Sequence, residues 1–214
     1  SNKPTILHID GILKKDVIRQ DEAINEIAKA IKRSRAGFAD NNKCTSLMMI
    51  GTTGVGKTLI AKKLAENVFG DEKALIRFDM SEYQDKTSVN KLLGSSAGYV
   101  GYENGGLLTE AVKNKPYCVL LFDEIEKADE SIYNVFLQLF DEGRLTDNNG
   151  TTVNFKNVIV IMTSNIGFEQ NSVGFRQKLY WNEVNVNNLV NIEQTYKTYP
   201  EQMVTIFFRY KTTD

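Results

Sequence analysis

Cysteine and histidine are scarce in this sequence, which has two cysteines and one histidine among its 214 residues. Cys44 and Cys118 are far apart, and Cys118 lies within the apolar run "YCVLLFDE". This placement argues against a disulfide framework or a cysteine metal site and favours a reducing compartment. The single histidine, His8, lies near the start of the sequence, so catalysis by histidine is not expected.

The sequence also lacks a surplus of charge and a long apolar run. Its 26 basic and 27 acidic residues give no basis for recognition of nucleic acid or of an anionic membrane by bulk charge. Nowhere do apolar residues approach the roughly 20 that a membrane-spanning helix needs, and the first residues do not follow the pattern of a signal peptide. We therefore expect a soluble protein with neither nucleic acid nor membrane as a partner.

What the sequence does contain is an alternation of short apolar runs and amphipathic stretches. The apolar runs lie at 46–50, 75–79, 117–123 and 158–162, and they predict strands buried on both faces. Two amphipathic stretches predict helices, one after a cap at Asp21 and ending at Gly37, the other ending at Gly143. This alternation predicts an α/β fold with a mainly parallel sheet.

The clearest motif is "GTTGVGKT", residues 51–58, which lies between a predicted strand and a predicted helix. It matches the P-loop, in which glycines let backbone amides face a phosphate. Lys57 would reach the β and γ phosphates of ATP, and Thr58 would bind Mg²⁺. The residues expected to contact the nucleotide here are Thr53, Gly54, Val55, Gly56, Lys57, Thr58 and Leu59. The alternative is a glycine-rich turn that binds nothing.

Polar residues follow two other predicted strands. Asp123, at the end of "VLLFDE", would hold Mg²⁺, and Glu124 would polarise the attacking water. Asn165 follows "VIVIM" in "MTSN", where its amide would orient the same water. The alternatives are a solvated acidic pair at the start of a charged helix, and an asparagine that forms a turn.

Together these motifs resemble a known family. "VIRQDEAI", "GTTGVGKT", "IRFDMSEY", "GYVGYENGG", "VLLFDEIEKA", "DEGRLTD" and "VIVIMTSNIG" occur in order over about residues 12–168, and they are similar to the second AAA+ module of the Clp unfoldases. The resemblance implies a P-loop AAA+ large subdomain, and a homo-hexameric ring that uses ATP to thread unfolded or tagged proteins through a pore. It also implies that Val17 and Ile18 pack around adenine and that Asn165 senses the γ-phosphate. Arg19 departs from the family pattern, which has glycine in "VIGQ".

The resemblance gives the run "SAGYVGYENGG" a role in the pore. Tyr99 and Val100 lie between Gly98 and Gly101, and an aromatic side chain on such a loop can grip an extended polypeptide. The alternative is a tyrosine packed in a glycine-rich turn.

A second loop suggests a partner. Val173, Gly174 and Phe175 form an apolar-Gly-apolar tripeptide after "MTSN", as in Clp unfoldases that feed a barrel-shaped peptidase. Two apolar anchors repeated around a ring would bind through avidity. This indicates a ClpC-like protein, whereas packing of Phe175 on its own domain is the alternative.

The resemblance also sets the expected domain organisation. Residues 1–11 are an N-terminal tail, residues 12–214 are the large α/β subdomain, and residues 169–200 are a poorly ordered loop. Arg209 in "FFR" is not assigned as the arginine finger, because "YKTTD" follows instead of the family continuation. The finger and the small helical subdomain are therefore expected outside this chain.

The expected function is that of an ATPase motor that unfolds proteins for a Clp-type peptidase, in a bacterial cytoplasm or a plastid stroma such as that of a chloroplast or apicoplast. Two alternatives remain: a ClpB-like disaggregase without a peptidase, and a nucleotide-binding scaffold without turnover.

Overall fold

The computed structural model describes residues 3–36, 44–51, 54, 56–98, 105–165 and 204–207. The helices in these ranges are α1 (Lys3–Leu7), α2 (Ile9–Asp16), α3 (Asp21–Arg35), α4 (Lys57–Val68), α5 (Val89–Leu93), α6 (Leu107–Asn114) and α7 (Glu130–Glu142). The strands are β1 (Thr45–Ile50), β2 (Leu75–Asp79), β3 (Val119–Asp123), β4 (Arg144–Thr146), β5 (Thr152–Asn154), β6 (Ile159–Ser164) and β7 (Val204–Phe207).

The main sheet has the strand order β2-β3-β6-β1-β7. Its first four strands are parallel, while β7 pairs antiparallel with β1 at one edge. Strands β4 and β5 form a separate hairpin. The predicted α/β fold with a mainly parallel sheet is confirmed.

Both faces of the sheet are covered. Along β3, Val119 and Leu121 pack into a cluster with α2, α3 and α4, whereas Leu120 and Phe122 pack into a second cluster with α5, α6 and α7. Successive side chains of a strand point to opposite faces, so a strand between two layers of helices needs apolar residues at every position. This explains the uninterrupted apolar runs that predicted β1, β3 and β6.

The strand limits differ slightly from the sequence prediction. Strand β3 begins at Val119, two residues inside the run at 117–123. Strand β6 continues through Thr163 and Ser164, because these residues pair with Met49 and Ile50 of β1. Backbone pairing therefore carries β6 two residues beyond the end of its apolar run.

The helix limits confirm one prediction and correct another. Helix α7 ends at Glu142, and Gly143 follows with a φ of 64°, which is the predicted glycine end. Helix α3 begins at Asp21 itself, with Gln20 as its N-cap and no capping side-chain hydrogen bond. The predicted cap at Asp21 is therefore wrong. Asp21 instead places negative charge in the first turn, where the helix dipole favours it. Gly37 lies outside the described residues.

The N-terminal segment is more ordered than its sequence suggested. Residues 1–11 were expected to be a tail, but α1 begins at Lys3, and the expected boundary after residue 11 falls inside α2. Ile9 and Leu13 have no solvent exposure and pack into the cluster with α3 and α4. His8 is exposed. The loop expected at 169–200 lies outside the described residues.

Candidate active site at the carboxyl edge of the sheet

The turn from β1 to α4 requires glycine at two described positions. Gly54 and Gly56 have φ angles of 86° and 102°, in the left-handed region that side chains disfavour. A Cβ atom on Gly56 would also lie 2.9 Å from Cγ1 of Val17. Glycine at position 56 is therefore needed for its backbone angle and for space. Thr53 and Val55 lie outside the described residues.

The N-terminus of α4 is suited to an anion. This helix of 12 residues has no side-chain hydrogen bond at its N-cap, Gly56, and no acidic residue in its first turn. The first amides of a helix lack partners within the helix and lie at the positive end of its dipole. Lys57 and the exposed Thr58 begin the helix. A cation, a hydroxyl and uncapped amides together fit a phosphate group with its metal ion.

Lys57 is buried, with 8% of its surface exposed. Its Nζ donates hydrogen bonds to the carbonyl oxygen of Gly51, to Oδ1 of Asn165 at 2.6 Å and to the carbonyl oxygen of Ser164 at 3.4 Å. Burial lowers the pKa of Lys57, and the negative charges of nearby acidic side chains oppose this shift. The amine thus lies between the ends of β1 and β6.

Asp123 ends β3 with its carboxylate held on both oxygens. Oδ1 accepts a short hydrogen bond from the Thr163 hydroxyl. Oδ2 accepts from Nε of Arg77 at 3.1 Å and from Nη2 of the same guanidinium. Arg77 lies on β2, the neighbouring strand, so three strands contribute to the position of this carboxylate.

Glu124 follows in an unusual backbone conformation. Its φ of 56° is in the left-handed region, which residues other than glycine rarely adopt outside turns and functional sites. Its N–H donates to the Thr163 hydroxyl oxygen at 3.1 Å, and its Oε2 lies 2.6 Å from Nζ of Lys127. The hydrogen bond with Glu124 raises the pKa of Lys127. Asp123 and Glu124 therefore contact different groups although they are adjacent.

Asn165 is exposed after the end of β6. Besides its contact with Lys57, its backbone N–H donates to Oε1 of Glu126 at 3.2 Å. The other oxygen of Glu126 is buried and has no hydrogen-bond partner in the described part of the chain. The structure thus places Asn165, Lys57 and Glu126 in one group beside the acidic pair.

A cavity of about 320 Å³ lies next to the turn before α4. Its lining residues are Asp16, Val17, Ile18, Arg19, Gln20, Gly54, Gly56 and Leu59. Val17 is buried against Gly56, whereas Ile18 is 76% exposed. The structure therefore brings Val17, Ile18 and Leu59 together beside the P-loop. That Val17 and Ile18 pack around adenine stays a prediction.

Comparison with known proteins places this site in a family. A family model described as the AAA domain of the Cdc48 subfamily matches residues 42–209. The chain belongs to this family. It is also 56% identical over 168 residues to the chaperone protein ClpB of Bacteroides thetaiotaomicron, and to the same extent to ClpB 2 of Synechocystis. The ClpB of Clostridium tetani is 56% identical over 166 residues.

These matches cover 77–78% of this chain but only 19–20% of each relative. The chain therefore spans about a fifth of the length of the relatives that it matches. Membership of the family identifies it as an ATPase domain with an α/β P-loop fold of the Clp type.

None of the described helices is long and apolar enough to cross a membrane. Within the described ranges, no group of three or more histidine, cysteine or acidic side chains is arranged to hold a metal ion.

Several site residues were missed by sequence reasoning. Arg77 is a charged residue inside the strand run "LIRFD", and that position was a usable signal because charges in strands need partners. Glu126 could not be told from the other charges of "DEIEKADE", and Thr163 gave no signal beside Asn165. Conversely, some predicted site residues lie outside the described part of the chain: Thr53, Val55, Tyr99, Val100, Val173, Gly174 and Phe175.

Proposed function

We propose that this edge of the sheet binds ATP with Mg²⁺ and hydrolyses it to ADP and phosphate. The observation that carries the proposal is the meeting of Lys57, Asp123, Glu124 and Asn165 beside the uncapped N-terminus of α4. The carboxyl ends of parallel strands are where α/β sheets bind ligands. A P-loop amine, a strand-end carboxylate and a second acid are the groups that phosphoryl transfer to water requires.

Each residue has a distinct proposed role. The backbone from Thr53 to Leu59 and the amine of Lys57 bind the phosphates, and Thr58 and Asp123 hold Mg²⁺. Glu124 polarises the attacking water, and Asn165 senses the γ-phosphate. Bound Mg²⁺ would neutralise charge that develops on the phosphate oxygens during transfer.

Two of these residues must exchange partners before they act. The Lys57 amine has to leave Oδ1 of Asn165 to engage a phosphate, so phosphate binding removes this contact between Lys57 and Asn165. Glu124 has to leave Lys127, and that pair is partly exposed on both sides. Ion pairs open to solvent contribute little stability, so the Glu124 carboxylate can be released without a large cost.

The base of the nucleotide fits the cavity beside Val17 and Ile18. Its volume of about 320 Å³ lies at the lower end of the range of ligand pockets. Val17 supplies a buried apolar wall, and Ile18 supplies an exposed side chain that adenine can cover.

For the whole protein we propose an ATP-dependent chaperone that remodels proteins in a homo-hexameric ring. The support is the similarity to proteins named ClpB. In this proposal the chain contributes the large subdomain, including α1 and α2. Tyr99 and Val100 grip the substrate, and a neighbouring subunit supplies the arginine finger. The similarity to proteins named ClpB supports a ClpB-like disaggregase without a peptidase. We propose a bacterial cytoplasm or a plastid stroma as its compartment.

A second candidate is an unfoldase that feeds a Clp-type peptidase. The feature that favours it is the tripeptide Val173, Gly174 and Phe175. It would dock on the peptidase ring as a pair of apolar anchors around a flexible glycine. This is the ClpC-like interpretation, and it depends on the tripeptide rather than on the relatives.

One experiment separates the two candidates. The full-length protein is given ATP and an aggregated reporter protein whose activity reports refolding, with and without a Clp-type peptidase. Wild type and Phe175→Ala are compared with the control Phe168→Ala, which changes a nearby phenylalanine outside the tripeptide. A disaggregase restores the reporter in all three forms and degrades it in none. Degradation that is lost in Phe175→Ala alone, with ATP turnover intact, would replace it with the peptidase-feeding function. Failure of the wild type in both assays contradicts both.

A further inference from the structure

The end of β3 is attached to β6 in an unusual way. Backbone pairing between these two strands ends with Phe122 and Met162. One residue later β3 still pairs with β2, through Asp123 and Asp79, and β6 still pairs with β1, through Thr163 and Met49. At the point where Asp123 and Thr163 face each other, the connection between β3 and β6 is a side-chain contact.

That contact is made by the hydroxyl of Thr163, a residue with 1% of its surface exposed. The hydroxyl donates to Oδ1 of Asp123 and accepts from the N–H of Glu124 at 3.1 Å. A threonine hydroxyl has one hydrogen to donate and lone pairs that accept. The hydrogen is donated to Asp123, and a lone pair accepts the hydrogen bond from the N–H of Glu124. One buried oxygen thus bonds to both residues of the acidic pair.

Neither Arg77 nor Lys127 makes this double contact. Arg77 binds Oδ2 of Asp123 with a side chain that is 53% exposed, and Lys127 binds Oε2 of Glu124 with a side chain that is 46% exposed. A buried hydrogen bond restrains geometry more strongly than an exposed ion pair does. Thr163 is therefore the better placed of the three to fix the orientation of Asp123 relative to Glu124.

We propose that Thr163 is a positioning residue for ATP hydrolysis, holding the Asp123 carboxylate and the left-handed turn at Glu124 in one arrangement. The inference rests on the proposed roles of Asp123 and Glu124. Binding of the nucleotide involves mainly the P-loop, so loss of the hydroxyl affects turnover more than affinity. Since a displacement of about 1 Å in a reacting group can cost on the order of 100-fold in rate, a clear fall in kcat is expected.

The chain offers a matched set of variants. Thr163→Val removes the hydroxyl at nearly constant shape, and Thr163→Ser keeps it. Thr109→Val is the control, because Thr109 is also 1% exposed and its hydroxyl donates to the carbonyl oxygen of Gly106 at 3.2 Å, in α6 and apart from the site residues. Thermal unfolding of all variants shows whether a loss of activity comes from lower stability or from altered positions of Asp123 and Glu124.

In the full-length protein, kcat, KM and the Kd for a fluorescent ATP analogue are measured together with hydrogen exchange of the Glu124 amide. We expect Thr163→Val to lower kcat by roughly 10- to 100-fold with Kd changed less than about threefold. We expect its Glu124 amide to exchange at least about tenfold faster, because the amide loses its acceptor. Thr163→Ser and Thr109→Val should both stay near wild type.

Unchanged turnover in Thr163→Val, or a Glu124 amide that stays protected, overturns the inference. A loss of turnover equal to that in Thr109→Val overturns it as well, since general destabilisation then accounts for the effect. A wild type that binds no nucleotide refutes the proposed function instead. The exchange of the Glu124 amide then decides by itself whether Thr163 holds the turn.

Discussion

Arg19 has a left-handed backbone, with a φ of 64°, in the turn between α2 and α3. Side chains with a Cβ atom are strained in this region, and glycine is not. The glycine found here in the resembling family therefore has a physical reason, and Arg19 retains the turn at a cost in stability.

We predict that Arg19→Gly raises the free energy of unfolding by about 1 kcal/mol, because the turn no longer strains a side chain. Arg19→Ala keeps the Cβ atom and is the control, with little expected gain. Urea unfolding of both variants measures the difference. An equal gain in Arg19→Ala would show that the charge of Arg19, and not its backbone angle, is responsible.

The residues of the site differ in how far the sequence could predict them. Asp123 and Asn165 lie at the ends of strands that their apolar runs predicted, and Lys57 belongs to the P-loop motif that follows β1. The carboxyl ends of neighbouring parallel strands lie at one edge of a sheet. Thr163 and Glu126 act through hydrogen bonds that depend on strand register and on a left-handed turn. No local pattern specifies either feature, so these partners became visible only in the structure.

At the scale of helices and strands, glycines at two positions should respond oppositely to substitution. Gly11 lies inside α2, where a Cβ atom added to it would meet no other atom within 4 Å. Gly143 follows α7 with a φ of 64°. Alanine reduces the entropy of the unfolded chain where it fits, and it is strained where φ is positive.

We predict that Gly11→Ala stabilises the protein by roughly 0.5–1 kcal/mol and that Gly143→Ala destabilises it by about 1 kcal/mol. Chemical denaturation of each single variant provides the measurement, and each serves as the control for the other. Destabilisation by Gly11→Ala would contradict the helical, open environment of that residue.

Some of the elements that sequence reasoning missed depend on contacts with residues distant in the sequence. Helices α1 and α2 are short, and short helices are stable mainly through packing, here through Ile9 and Leu13. Strand β7 lies at the sheet edge, paired only with β1 among the described strands, and its place is set by contacts distant in sequence. By contrast, a buried strand such as β3 can be predicted from its continuous run of apolar residues.

At the scale of the whole molecule, the two apolar clusters hold β1, β3 and β6 in a fixed register, and this brings the P-loop, the acidic pair and Asn165 to one edge. In the proposed function the sheet positions the site residues, while Lys57 and Glu124 exchange partners through their side chains. The central claim is that this edge hydrolyses ATP, with Glu124 acting in turnover and Lys57 in phosphate binding.

The most direct test compares Glu124→Gln, Lys57→Ala and the control Glu22→Gln in the full-length protein, with Mg·ATP binding and hydrolysis measured side by side. Glu22 is an exposed acid in the first turn of α3. The account predicts that Glu124→Gln binds ATP within about threefold of wild type but hydrolyses it at least about 100-fold more slowly. It also predicts that Lys57→Ala loses binding and that Glu22→Gln loses neither. Hydrolysis by Glu124→Gln at the wild-type rate would contradict the account.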